Sequence, residues 1–164
     1  MHRNNCIDFG CILKKNADAY ALLKGGSHHP DLRGIIKFYR VKKGIVVLTE
    51  IIGLPKGEGE CENPIFGFHI HTGENCKGNI VDEFADTLGH YNPKKCQHPF
   101  HAGDMPPLFG NNGYAFSAFF TDRFNINEII EKTVIIHSMS DDFTTQPSGN
   151  AGQKIACGEI KKAE

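Results

Sequence analysis

Short runs of alternating residues constrain the fold of this 164-residue chain more than any other feature. Apolar and other residues alternate in them with a period of two, which places successive side chains on opposite faces of a β-strand. Turns rich in Gly, Pro, Asn and Asp separate the runs, and no stretch has a strong helical period. Residues 124–131 suit either a strand or a helical turn. The other predicted strands are 19–23, 34–40, 44–52, 65–72, 114–120, 133–137 and 153–160.

This pattern predicts an all-β, antiparallel sandwich or Greek-key barrel formed by one domain over residues 1–164. Residues 1–18 show no clear period, so we interpret them as an N-terminal extension that is either a short helix or an ordered tail. They contain no apolar core of signal-peptide length, which favours a cytoplasmic location.

Charge and hydropathy exclude two classes of partner. No basic run exceeds two residues and the net charge is −1, so we expect no nucleic-acid partner. No apolar run approaches the length that crosses a bilayer, so we expect no membrane partner. The sequence leaves both a monomer and a homodimer open.

The strand predicted over 65–72 carries the first candidate site. Because residues two apart share a face of a strand, His69 and His71 project side by side, while Phe68 and Ile70 point into apolar packing. Two imidazoles on one rigid face are half of a metal site.

Residues 73–107 form a long stretch dominated by Gly, Asn, Pro, Asp, Cys and His. A loop of this length inside a compact domain is usually either disordered or functional. Because it carries His90, His98, His101 and Asp104, we predict a loop ordered by metal. Residues 138–152 form a second long polar loop, which follows His137.

Together these residues resemble a known family, the copper/zinc superoxide dismutases, in the form found in bacteria. The resemblance implies an eight-stranded antiparallel Greek-key β-barrel, an immunoglobulin-like sandwich with long metal-binding and electrostatic loops. The matching segments are 67–71 with Cys76, 90–93, 98 with 101–104, 134–137, 141–142 and 149–158.

The resemblance also implies a ligand set, in which His90 is a bridge bonded to both metals. Four imidazole nitrogens suit copper, and three nitrogens with one carboxylate suit a closed tetrahedral zinc site. Asp141 would link the two sites by accepting hydrogen bonds from His69 and His98, whereas Asp142 would be a solvated acid or a turn cap. The copper ligands would be His69, His71, His90 and His137, and the zinc ligands His90, His98, His101 and Asp104.

The resemblance pairs two of the six cysteines, Cys76 and Cys157, in an intramolecular disulfide. The other four have no role in the family pattern. Cys61 and Cys96 either pair with each other or stay as buried free thiols. The remaining two are Cys6 and Cys11.

The implied function is the conversion of superoxide to dioxygen and hydrogen peroxide, with copper cycling between two oxidation states and His90 supplying a proton. Lys154 stands where the family has an Arg beside the copper channel. It keeps the charge that attracts the anion but loses the planar fork of a guanidinium. Two alternatives stay open: a copper/zinc storage or buffering protein of the same fold, and a structural domain that binds zinc alone.

Overall fold

The computed structural model describes residues 9–12, 14–59 and 64–164 of the chain. Cys6 and Cys61 lie outside this part. The described elements are helix α1 (Phe9–Ile12), strands β1 (Ala19–Gly25), β2 (Arg33–Val41), β3 (Gly44–Ile52), β4 (Ile65–Phe66) and β5 (Phe68–His71), a 3-10 turn (Ala85–Thr87), strands β6 (Leu108–Phe109) and β7 (Tyr114–Thr121), helix α2 (Ile126–Ile129), and strands β8 (Thr133–His137) and β9 (Lys154–Lys162).

Seven of the strands form one antiparallel sheet in the order β5-β8-β9-β1-β2-β3-β7. Strands β1, β2 and β3 are a meander. The chain then crosses from β3 to β5 at the opposite edge of the sheet before it returns to β7 beside β3. This crossing is the non-sequential connection of a Greek key, so the predicted all-β fold is confirmed.

The prediction of one continuous strand over 65–72 is wrong, because the structure divides this segment at Gly67 into β4 and β5. β4 pairs with β6, whereas β5 pairs with β8 in the large sheet. Gly67 lies between them, and a Cβ at this position would lie 2.8 Å from the Cβ of Ala151. The close approach of the second long loop therefore requires glycine here.

The sheet curls so that its two edge strands contribute to one core. Phe68 and Ile70 of β5 belong to the same buried cluster as Ala115 of β7 and Phe38 of β2. Phe38 and Phe68 are fully buried, and each contributes about 2–3 kcal/mol through apolar burial. This core fixes β5, and with it the two histidines on its other face.

Two uncertain segments of the prediction now have a structure. Within 124–131 the chain forms the single turn α2, so the helical alternative is right. In the described part of the N-terminal segment, α1 ends at Ile12, which packs against Tyr39 and Val46. None of the helices in the described part of the chain is long and apolar enough to cross a membrane.

Candidate metal centre

The seven predicted ligands come together in two groups that share His90. Within each group the candidate ligand atoms all lie within 4.8 Å of one another. The first group is His69, His71, His90 and His137, and the second is His90, His98, His101 and Asp104.

Strand periodicity and register build the first group. His69 and His71 lie on one face of β5, and His137 ends the neighbouring strand β8, where its amide donates to the carbonyl of Gly67. His90 comes from the long loop, which reaches β5 through an isolated bridge between His71 and His90. The sheet thus supplies three imidazoles and the loop supplies the fourth.

Hydrogen bonds to carbonyl groups fix the tautomers of His71 and His137. The Nδ1 of His71 donates to the carbonyl of Leu88 at 2.8 Å, and the Nδ1 of His137 donates to that of Gly152 at 3.3 Å. A carbonyl only accepts, so both rings carry their proton on Nδ1 and a lone pair on Nε2. These two Nε2 atoms lie 3.3 Å apart, which brings two lone pairs face to face in a buried site. A cation between them would turn this repulsion into coordination.

The other two imidazoles of the first group leave a nitrogen without a partner. His69 Nδ1 and His90 Nε2 are both buried, and neither atom has a hydrogen-bond partner in the described structure. A buried polar atom left unsatisfied costs about 1–3 kcal/mol. A metal ion that accepts imidazole ligands, such as copper, fits this donor set.

The second group surrounds the Asp104 carboxylate. Asp104 Oδ1 lies 2.8 Å from His90 Nδ1 and 3.4 Å from His101 Nδ1, and Oδ2 lies 3.1 Å from His98 Nδ1. The contact of His98 Nδ1 is short but is not in hydrogen-bond geometry, so this nitrogen is also unsatisfied. Three ring nitrogens and one carboxylate match a closed zinc site. His90 Nδ1 faces the Asp104 carboxylate of the second group, which leaves the unsatisfied Nε2 for the first group, so one ring can join the two.

Asp141 connects the two groups from behind. Its Oδ2 lies 2.7 Å from His69 Nε2 and its Oδ1 lies 2.8 Å from His98 Nε2, so one carboxylate faces the far nitrogen of a ring in each group. Burial raises the pKa of Asp141, but hydrogen bonds from His69, the Phe143 amide and His98 outweigh burial and hold it well below its usual range. The residue is therefore an anionic acceptor that orients both rings.

The glycine at position 149 makes room for this arrangement. Its φ of +68° lies in the left-handed region, and a Cβ there would collide with Asp141 Oδ1 and His98 Nε2. Neighbouring Asp142 is the predicted turn cap, since its carboxylate accepts bonds from the amides of Thr144 and Thr145.

Two further side chains hold the loop that carries the second group, and the sequence did not indicate either one. Gln146 bonds the backbone of His98 twice, accepting from its amide at 2.9 Å and donating to its carbonyl at 2.7 Å. Arg123 Nη1 donates to the carbonyls of Pro99, His101 and Asp104 at 3.1–3.3 Å. No motif marks these residues, because each acts on backbone atoms of a distant segment.

A cleft of about 1080 Å³ opens onto the first group, and His71, His137 and Lys154 line it. Lys154, the predicted attractor of the anion, does not project freely into this cleft. Its Nζ donates to Asp82 Oδ2 at 2.8 Å and to the carbonyl of Phe84 at 3.0 Å. The ammonium is therefore held against the wall formed by the first half of the long loop.

The predicted disulfide between Cys76 and Cys157 is present and spans 81 residues. It joins the start of the long loop to β9, three residues beyond Lys154, and packs with Phe84 and Ile135. Cys96 forms no disulfide with any cysteine that the structure describes.

The buried imidazoles predict that the metal-free protein loses stability in acid. Burial lowers the pKa of His71 well below its ordinary value and that of His137 to about 3. The unfolded chain protonates the same rings near pH 6.5, so between these pKa values it binds more protons than the folded chain. The free energy of unfolding should therefore fall as the pH drops below about 6.5, by about 1.4 kcal/mol per pH unit for each neutral ring.

Urea unfolding in the presence of a chelator, at pH 7.5, 6 and 5, measures this loss. His137→Gln is the matched variant. Its free energy of unfolding should fall less steeply with decreasing pH than that of the parent, by about 1.4 kcal/mol per pH unit, because one neutral ring has been removed. The low pKa of Asp141 acts in the same direction but only below about pH 4, since the ordinary value for Asp is about 3.9. A stability that is constant or rises from pH 7.5 to pH 5 would contradict the prediction.

Comparisons with known proteins agree with this geometry. The family model described as copper/zinc superoxide dismutase matches residues 32–160. A copper/zinc superoxide dismutase of Legionella pneumophila is 30% identical to this chain. The alignment covers 98% of this chain and the full length of the Legionella protein. One from Escherichia coli K12 is 32% identical over 78% of each chain.

A solved structure gives the same result at the level of the fold. It is a double mutant of a superoxide dismutase-like protein from Bacillus subtilis, 28% identical, with a TM-score of 0.68. The alignment covers 85% of this chain and 94% of the other. The sequence match, the shared fold and the two histidine groups joined by His90 lead to one conclusion: this chain belongs to the copper/zinc superoxide dismutase family.

Proposed function

We propose that the chain binds one copper and one zinc ion, joined through His90, and disproportionates superoxide. The observation that carries the proposal is the pair of lone pairs on His71 and His137, 3.3 Å apart in a buried site. Copper would be held by His69, His71, His90 and His137, and zinc by His90, His98, His101 and Asp104.

When bound, copper supplies one-electron exchange with superoxide, and zinc in a closed ligand set supplies structure. The chain's own contribution begins with orientation. Asp141 and the carbonyls of Leu88 and Gly152 hold the outer nitrogens of His69, His71 and His137, so the inner nitrogens stay deprotonated and aimed at one point. Ligands fixed in this way need little rearrangement as the charge at the centre changes.

His90 is suited to move a proton. Its Nδ1 faces the Asp104 carboxylate at 2.8 Å, which holds the ring in place, while Nε2 has no other partner in the described structure. The ring can therefore take up a proton at Nε2 and release it toward reduced dioxygen without turning. Two superoxide ions and two protons give one dioxygen and one hydrogen peroxide. His90 would deliver one of these protons, and water would supply the other.

Lys154 places a cation in the same cleft, and superoxide, a small monoanion, is the substrate that a cation near the first group would favour. The cytoplasmic location stays a prediction, and the sequence leaves both a monomer and a homodimer open. Sedimentation of the metal-loaded protein and fractionation of cells test them.

The deciding experiment compares superoxide decay in the presence of the copper- and zinc-loaded protein and of the same protein loaded with zinc alone. We expect consumption to rise in proportion to copper occupancy. Storage and zinc-only proteins are the other outcomes: full copper occupancy with no acceleration over the zinc-only control would indicate storage, and a failure to bind copper would indicate a zinc domain. Either result would overturn the proposal.

A further inference from the structure

The side chains that line the cleft above the first histidine group carry an unfavourable charge balance for an anion. Among its described lining residues the charged side chains are two carboxylates, Asp82 and Glu83, and one ammonium, Lys154. Both carboxylates belong to the first half of the long loop. Apart from the metal ions themselves, the side chains that an anion meets in the cleft carry more negative charge than positive charge, so the availability of Lys154 contributes to how strongly the anion is held.

Asp82 is the ion-pair partner of Lys154. The two side chains form an ion pair at 2.8 Å, and the carbonyl of Phe84 accepts a second bond from the same ammonium at 3.0 Å. Only 15% of the Lys154 side chain is exposed, against 39% of that of Asp82. The ammonium is thus the more enclosed partner and already has two oxygen acceptors.

Glu83 lies beside Asp82 but makes a different contact. Both of its carboxylate oxygens accept from the amide of Ser27, at 3.1 and 2.9 Å. Glu83 has the same charge as Asp82 and lines the same cleft, but it forms no ion pair with Lys154. The chain therefore contains its own control for a general effect of negative charge.

We propose that Asp82 is a positioning residue that limits the anion affinity of the cleft by competing with the anion for Lys154. This inference rests on the proposed function, because it concerns anions bound at the copper group. An anion can use the ammonium only in the fraction of molecules in which Lys154 has left Asp82, and its apparent affinity falls by that fraction. Asp82 would then set both the position of Lys154 and the strength of its attraction.

Asp82→Asn tests the competition with little disturbance of the loop. Asp82 Oδ1 accepts from the amide of Phe84 at 2.9 Å, and an asparagine retains this oxygen. The backbone carbonyl of Asp82 also accepts from the amides of Asn79 and Ala85, and no side-chain change removes these bonds. The substitution therefore removes the negative charge facing Lys154 and leaves the turn intact.

The first measurement is the affinity of azide, a small monoanion, for the copper(II) form, followed by optical titration at several salt concentrations. We expect D82N to bind azide roughly 3- to 5-fold more tightly than the parent, as release from a partly exposed ion pair allows. The salt dependence should also steepen, because an unpaired ammonium is screened more effectively. E83Q should change the affinity by less than about twofold. When Lys154 is also replaced by Gln, D82N should raise the affinity for azide no more than E83Q does.

The second measurement needs no copper. Mass spectrometry after brief acetylation reports the reactivity of the Lys154 amine in metal-free protein with the disulfide intact, and Lys161, with a side chain 63% exposed, is the internal reference. Lys154 should react several-fold faster in D82N than in the parent or in E83Q. Equal reactivity would show that Asp82 does not shield Lys154, whether or not the protein binds copper.

Equal azide affinities in D82N and E83Q would also overturn the inference, even if acetylation shows that Asp82 shields the Lys154 amine. If the protein fails to take up copper, the proposed function fails by itself, and the acetylation comparison still decides the role of Asp82. The two failures are therefore distinguishable.

Discussion

Asp141→Asn is expected to weaken copper binding and zinc binding together, each by about 10- to 100-fold. The reason is that one carboxylate serves both groups, with its oxygens 2.7 Å from His69 Nε2 and 2.8 Å from His98 Nε2. Asparagine keeps the shape of the side chain but replaces one acceptor by a donor. At least one ring then loses the partner that fixes its proton on the outer nitrogen.

Competition with chelators of known affinity measures both constants, and Asp142→Asn is the matched control. Asp142 is the adjacent acid, and its carboxylate bonds Thr144 and Thr145 rather than a histidine. We expect both affinities to stay within about twofold of the parent in this control, as for most surface substitutions. If Asp141→Asn weakens only one metal, the carboxylate does not link the sites, and if it weakens neither, Asp141 has no role in them.

Removal of the disulfide by a double change, Cys76→Ala with Cys157→Ala, is expected to lower the free energy of unfolding of the metal-free protein by roughly 4 kcal/mol. The bond closes a segment of 81 residues, and its loss returns that conformational entropy to the unfolded chain. Cys157 is buried against Phe84 and Ile135, so the small cavity adds to the loss.

Urea denaturation with a chelator present gives this value, and Cys96→Ala is the control because Cys96 forms no disulfide with a cysteine in the described part of the chain. The double variant should also loosen the loop that carries Asp82 and Phe84 beside Lys154. A double variant within about 1 kcal/mol of the Cys96→Ala protein would contradict the prediction.

Much of the fold follows from local pattern. Strands β3 and β8 begin and end where the alternation predicts, at Gly44–Ile52 and Thr133–His137. The period of two also predicts that His69 and His71 share a face, because side-chain direction in a strand depends only on the position along it. The division at Gly67 was not predictable in this way, since it depends on which strand pairs with each half.

The ligand residues were identified by type and spacing, but their supports were not. Gln146 bonds the backbone of His98 from 48 residues away, and Arg123 reaches three carbonyls of the long loop. Contacts with backbone atoms leave no signature in the sequence of the segment contacted. Asp82 is one of several acids and amides in an irregular loop, so only the folded chain shows that it faces Lys154.

The central claim is that His90 joins a copper ion to a zinc ion. Anomalous diffraction from crystals of the copper- and zinc-loaded protein, recorded at the absorption edges of both metals, tests it most directly. We predict a copper peak among His69, His71, His90 and His137, and a zinc peak among His90, His98, His101 and Asp104, with the imidazole of His90 between them. A single peak, or a second metal that does not contact His90, would contradict the claim.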